Sequence, residues 1–108
     1  MVLTGGMEHR EFAIGRAFAT RHSLWRCTDV GTRTVVAIRL DSMEVVEVKG
    51  GRREERTIDP RREPGWLSGP PYVAAEQVFD WCDFPACRPV AEEGVLDWTP
   101  EREVARRR

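Results

Sequence analysis

The sequence predicts an α+β domain: a strongly bent antiparallel sheet of four or five strands with one packed amphipathic helix. Apolar and polar residues alternate from residue 11 to residue 48, turn-forming residues separate these runs, and a later segment has apolar residues at helical spacing. The chain of 108 residues, 41% of them hydrophobic, is long enough for one modest core. We expect a disordered lead over residues 1–10, one globular domain over 11–90, and an irregular tail over 91–108 that holds at most a short frayed helix.

Four predicted strands follow each other closely, and short turns would join them into a meander. Phe12, Ile14 and Phe18 space the first strand, and Gly15 suits a bend within it. The other three strands are assigned to residues 24–30, 34–40 and 43–48. The third strand is apolar on both faces apart from Arg39, which is typical of a central strand. Such a sheet could curl toward a small barrel of the SH3 type.

The segment over residues 50–65 breaks the alternation with three glycines, two prolines and nine charged residues. This composition predicts an exposed loop or a mobile hairpin tip. A short fifth strand could form at residues 56–58.

The predicted helix runs from Pro71 to about Trp81, because proline is tolerated in a first helical turn and apolar residues then recur at helical spacing. Thr99 and Pro100 resemble a second helix start, with Thr99 as N-cap. The expected core residues are Phe12, Ile14, Phe18, Val36, Ile38, Val46, Tyr72, Ala75, Val78 and Phe79.

The near-equal numbers of basic and acidic residues exclude one class of function. Lys and Arg total 17 against 18 Asp and Glu, so the net charge of −1 excludes a binder that relies on a bulk positive field. A local arginine patch remains an alternative, and it would make the protein a nucleic-acid-binding module. Its candidate residues are Arg26, Arg33, Arg39, Arg52, Arg53, Arg61 and Arg62.

The three cysteines at positions 27, 82 and 87 do not form a closed disulfide framework. Four residues separate Cys82 from Cys87, which is not the spacing of a zinc knuckle, so we expect unpaired thiols, no metal and no cofactor. A cysteine-dependent enzyme would need Cys27 as nucleophile, His22 as base and Asp29 to orient it. Because no complete catalytic constellation is evident, an enzyme is the least favoured of the three classes.

The leading hypothesis is a small non-catalytic module that binds a protein partner. Trp66 and Tyr72 flank the rigid Pro70-Pro71 step, and aromatic residues beside prolines are typical of peptide-binding grooves and interface anchors. Trp25 is a further candidate for this surface. The alternative is that these rings seal one end of the core.

A resemblance covers residues 11–84. The runs Trp25–Thr34 (WRCTDVGTRT), Gly69–Tyr72 (GPPY) and Glu76–Asp80 (EQVFD) resemble those of small bacterial proteins of unassigned function. The resemblance implies a bacterial origin but no activity and no catalytic residue. With no apolar run suited to a signal peptide or a membrane helix, we expect a cytoplasmic protein that does not bind membranes.

Overall fold

The computed structural model describes residues 6–108, and within them antiparallel strands form two sheets accompanied by one α-helix. The expected α+β class is therefore confirmed. The strands are β1 (Ala17–Ala19), β2 (Leu24–Val30), β3 (Val35–Arg39), β4 (Met43–Lys49), β5 (Arg52–Ile58), β6 (Gln77–Phe79) and β7 (Arg88–Val90). The helix α1 spans Pro100–Arg106, and short 3-10 helices span His9–Glu11, Phe84–Ala86 and Glu92–Gly94.

The larger sheet has the strand order β6-β3-β2-β1-β7. At its centre, β1, β2 and β3 form the first three strands of the predicted meander, with Phe18 opposite Trp25 and Trp25 opposite Arg39. The first strand is shorter than expected, because β1 begins at Ala17 and both Phe12 and Ile14 precede it. The predicted bounds of β2 are confirmed, and a register shift falls between Cys27 and Asp29. The two outer strands come from the C-terminal half of the chain.

The strand β4 does not continue this meander. It pairs along its whole length with β5, and Gly50 and Gly51 form the tight turn with positive φ angles of 56° and 78°. The expectation of a loop is thus wrong for residues 52–58, where charged residues form a regular strand with both faces exposed except at Ile58. Because β4 belongs to this separate hairpin, the two sheets do not close into the suggested barrel.

The predicted helix over 71–81 is wrong. Residues 77–79 form β6, and no helix occurs elsewhere in that range. Phe79 is buried against the rings of Phe18 and Trp25, whereas Ala75 and Val78 lie exposed instead of completing a helical stripe.

The core consists of two clusters. One gathers Met7, Phe12, Phe18, Trp25 and Phe79, and the other gathers Leu24, Leu40, Val95 and Trp98 with their neighbours. Of the expected core residues, Phe12, Phe18, Ile38 and Phe79 are buried, Val36 and Tyr72 are half-buried, and Ile14, Val46, Ala75 and Val78 are exposed.

Residues near both ends of the described part of the chain contact this core. Of the expected disordered lead over residues 1–10, residues 1–5 lie outside the described residues. In the remainder, Met7 is buried and its N–H donates to Phe84 O at 3.0 Å. In the tail, Val95 and Trp98 are buried while Leu96 is exposed. Thr99 caps α1, since its hydroxyl accepts a hydrogen bond from the Arg102 N–H at 3.2 Å.

The helix α1 is fastened by a fully buried carboxylate, Glu103. Arg88 donates to both of its oxygens at 2.8 and 2.6 Å, Arg107 donates at 2.6 Å, and the indole of Trp98 donates at 3.0 Å. Burial alone would raise the pKa of Glu103, but these hydrogen bonds and the charge of Arg88 lower it to about 2. The carboxylate therefore stays ionised while it ties α1 to β7.

Among residues 6–108, no helix has the length and apolar character needed to cross a lipid bilayer.

Candidate interaction surface

The Trp66–Tyr72 corner is only partly withdrawn from solvent. Trp66 and Tyr72 are half-buried, whereas Pro70 and Pro71 are exposed. The Tyr72 ring lies directly over Gly69, since a Cβ there would come within 2.6 Å of Tyr72 Cδ1. A glycine is required at this position for the ring to pack in this way. The corner thus presents two prolines and the outer parts of two rings.

Trp25 does not belong to this surface, which corrects the sequence-based assignment. Its ring packs edge-on against Phe79 with a centroid separation of 5.0 Å, and its indole N–H donates to Thr20 Oγ1 at 3.0 Å. Trp25 lies directly opposite Phe18 on the neighbouring strand, so the two side chains point to the same face of the sheet. That face packs against the core.

A second group of exposed apolar residues follows the corner along the chain. Val73, Val78 and Trp81 have 69%, 65% and 73% of their surfaces exposed. Sequence reasoning missed them because it assigned the segment to a packed helix. The available signal was the β-branched and aromatic pair Val78-Phe79, which favours a strand in which neighbours point to opposite faces.

The strand β6 forms one edge of the larger sheet. Val78 pairs with Val36 of β3, and Phe79 pairs with Val35 and anchors the strand in the core. Within the described part of the chain, no further strand pairs with the outer side of β6. Its backbone groups on that side are therefore available to an added strand.

Three carboxylates surround this edge. Glu76 accepts a hydrogen bond from the Thr28 hydroxyl at 2.5 Å, Asp80 accepts from the Cys82 N–H at 2.9 Å, and Asp83 accepts from the Asp80 N–H at 3.0 Å. None of the three forms an ion pair with an arginine or lysine among residues 6–108. The edge consequently combines exposed apolar side chains with negative charge that the fold does not neutralise.

The seven candidate arginines do not share one surface function. Five of them form ion pairs within the fold: Arg26 with Glu92, Arg39 with Asp41, Arg53 with Glu55, and both Arg61 and Arg62 with Asp59. The side chain of Arg61 is 7% exposed and donates to the carbonyls of Val95 and Trp98, so it fastens the tail. Arg33, Arg52 and Arg53 lie on exposed positions of a turn and of β5.

The structure does not bring together the residues of the cysteine-enzyme hypothesis. The Cys27 thiol is buried and donates to the backbone carbonyl of Asp29 at 3.4 Å, and burial raises its pKa. His22 lines a separate depression beside Pro100 at the start of α1. A protonated thiol without a base nearby is a poor nucleophile.

The other cysteines are also free, with Cys82 exposed and Cys87 buried. Burial raises the pKa of Cys87 to about 12. In the described ranges, no group of three His, Cys, Asp or Glu side chains is placed to hold a metal ion.

Comparison with known proteins gave no match: no family model, no curated protein and no solved structure is significantly similar to this chain. The molecule is thus defined by its own features, as an α+β protein with an acidic, apolar sheet edge.

Proposed function

We propose that this protein is a non-catalytic interaction module that binds an extended, basic segment of a partner protein along β6. The observation that carries the proposal is a sheet edge that no other strand pairs with among residues 6–108. Exposed Val78 and Trp81 lie there beside carboxylates that have no cationic partner in that part of the chain. The Trp66–Tyr72 corner, with Pro70 and Pro71, continues this surface along the chain.

The backbone of β6 supports recognition by strand addition. An extended segment can form main-chain hydrogen bonds with an open sheet edge, and side chains at alternate positions then provide specificity. Phe79 holds β6 in the core, so the edge is already in place before the partner arrives. Binding to a fixed edge avoids the cost of ordering that edge.

The side chains of this region favour a partner segment with alternating apolar and basic residues. Val78 and Trp81 offer apolar contact area, and an exposed tryptophan is a frequent interface anchor. Glu76, Asp80 and Asp83 would attract lysine or arginine and would disfavour an acidic segment. Charge selection therefore distinguishes this surface from a general hydrophobic patch.

Fluorescence anisotropy with short labelled peptides tests the proposal. A peptide of alternating lysine and valine should bind, and its glutamate–valine counterpart should bind far more weakly. Replacing Val78 with Lys or Trp81 with Ala should weaken binding roughly tenfold or more, as for a central interface residue. N-methylation of alternate peptide bonds should abolish binding because it removes the main-chain donors.

The matched control is Val48→Lys on the β4–β5 hairpin, since Val48 is 72% exposed and lies outside the proposed surface. This variant should bind the lysine–valine peptide like the original protein. Equal binding of the two peptides, or equal binding by the Val78→Lys and Val48→Lys variants, would contradict the proposal.

The same anisotropy assay also tests the nucleic-acid alternative. A mixed-sequence oligonucleotide should not bind at moderate salt. Tight binding that falls steeply with salt and is lost in Arg52→Gln/Arg53→Gln would favour the alternative, because phosphate contacts release counterions.

We also propose that the protein acts in a bacterial cytoplasm. Its three free thiols support this location, because a reducing compartment keeps cysteines unpaired.

A further inference from the structure

A second feature of the molecule lies away from the β6 edge. A cavity of about 490 Å³ opens beside β1 and β7, a size typical of sites for small organic molecules. Phe12, Phe18 and Cys27 are buried side chains that line it, and Met7 and Val90 add apolar surface. The rings of Phe12 and Phe18 meet edge-on with centroids 5.0 Å apart, which fixes this part of the lining.

The charged residues that line the cavity differ in their hydrogen-bond and ion-pair partners. Glu11 accepts a hydrogen bond from the Glu8 N–H at 2.8 Å, and Glu92 forms an ion pair with Arg26 at 2.8 Å. Arg16 also lines the cavity, but its guanidinium has no hydrogen-bond or ion-pair partner among the described residues. Glu11 keeps its negative charge, but its carboxylate is engaged by the backbone of the 3-10 turn. Within residues 6–108, Arg16 is therefore the charged group of the lining whose side chain is left with neither a hydrogen-bond nor an ion-pair partner.

The backbone that carries Arg16 is well fixed. Its N–H donates to Ala13 O at 3.0 Å, and its carbonyl accepts from the Cys27 N–H at 3.0 Å. Arg26 donates to both Gly15 O and Glu92, which ties the turn before β1 to the 3-10 helix after β7. The two sides of the cavity are thus held together independently of Arg16.

We propose that this cavity binds a small amphiphilic carboxylate, with its apolar body against Phe12 and Phe18 and its carboxylate paired with Arg16. A guanidinium suits a carboxylate because it can donate two parallel hydrogen bonds. The apolar lining gains from taking the ligand's hydrocarbon out of water. The binding is non-covalent, and the Cys27 thiol contributes packing surface only.

Isothermal titration with octanoate, octanol and octylamine tests the charge requirement on the full chain. Octanoate should bind most tightly, octanol more weakly, and octylammonium least. Arg16→Gln should weaken octanoate roughly tenfold, the effect of losing a charged hydrogen bond, and should leave octanol unchanged. The matched control Arg33→Gln removes an exposed arginine elsewhere and should alter neither ligand.

A second variant tests the location. Ala91 lines the cavity with an exposed side chain, so Ala91→Phe should fill the cavity without disturbing the core. It should abolish the binding of both octanoate and octanol while leaving the urea midpoint unchanged. Preferred binding of octylammonium, unchanged octanoate affinity in Arg16→Gln, or full binding by Ala91→Phe would each overturn the proposal. None of these outcomes bears on the peptide assay, which uses different residues.

Discussion

Two segments of this chain begin alike and end differently. The sequence predicts a helix start with proline in the first turn in residues 70–81 and again in residues 99–106, yet only the second segment contains an α-helix. The first runs exposed along the molecule and contributes the short strand β6. The difference shows that the tertiary contacts available to a segment decide whether it folds as a helix.

Helix α1 has contacts at its start and in its middle. The Thr99 hydroxyl caps the first turn, and Glu103 receives hydrogen bonds from Arg88, Trp98 and Arg107. These partners come from β7, from the chain before α1 and from the C-cap residue that follows α1. Seven residues would be marginal as an isolated helix, so these tertiary contacts account for its formation.

In residues 70–81, pairing with a strand competes with helix formation. The strand β3 is apolar and needs a neighbour on its open side, and Val78 and Phe79 supply it by pairing with Val36 and Val35. Val35 is fully buried, and Phe79 fills the adjoining space beside Phe18. Backbone pairing with a hydrophobic strand therefore prevails over the weak helical preference of the segment.

A large effect is expected from removing the charge that fastens α1. Glu103→Gln leaves Arg88 and Arg107 without a carboxylate and should lower the free energy of unfolding at pH 7 by about 3 kcal/mol, the lower end for a broken buried ion pair. Urea melts measure the change. Glu101→Gln, on an exposed position of the same helix, is the control and should change stability by less than about 0.5 kcal/mol.

The same variant gives a pH test. The pKa of Glu103 lies near 2 in the folded protein, below its ordinary value of 4.5. A depressed pKa contributes stability that is complete above the unfolded value and is lost as the pH falls toward the folded value. The difference between the original protein and Glu103→Gln should therefore be constant above about pH 5 and shrink between about pH 4.5 and pH 2. A difference that persisted at pH 2 would show that Glu103 acts through packing and not through charge.

Glu103 also illustrates what the sequence could not reveal. Local patterns were sufficient for the α+β class, for β2 and for the Thr99 cap, because these depend on neighbours in the chain. The buried Glu103 depends on Arg88, fifteen positions away, and no periodicity marks such a pair. A glutamate on a short polar helix is typically solvent-exposed.

The β4–β5 hairpin and the exposed edge at β6 were not predicted from the sequence, for a related reason. The strand β5 is highly charged because it buries only Ile58, so it lacks the apolar alternation by which strands are recognised. Within the proposed interaction surface, the residues at the Trp66–Tyr72 corner were suggested by the sequence, where aromatic residues stand beside prolines. Val78 and Trp81 were not, since their exposure follows from the pairing of β6 with β3.

A smaller effect is expected at the cap of α1. Thr99→Ala removes the hydroxyl that accepts from the Arg102 N–H and should cost about 1 kcal/mol in urea unfolding. Thr99→Ser keeps the hydroxyl and should remain within about 0.5 kcal/mol of the original protein. An equal loss in both variants would mean that the Thr99 methyl group, and not the cap, supports the helix.

The smallest effect is expected in the segment that is not helical. Trp81 is 73% exposed, so Trp81→Ala should change the free energy of unfolding by no more than about 0.5 kcal/mol. The same substitution at Trp98, which is buried and donates to Glu103, should cost about 3–5 kcal/mol. Urea melts of the two variants compare the regions directly. A loss at Trp81 approaching that at Trp98 would place its ring in a core contact and remove it from the proposed interaction surface, whereas a near-zero loss together with weaker peptide binding would assign the side chain to recognition.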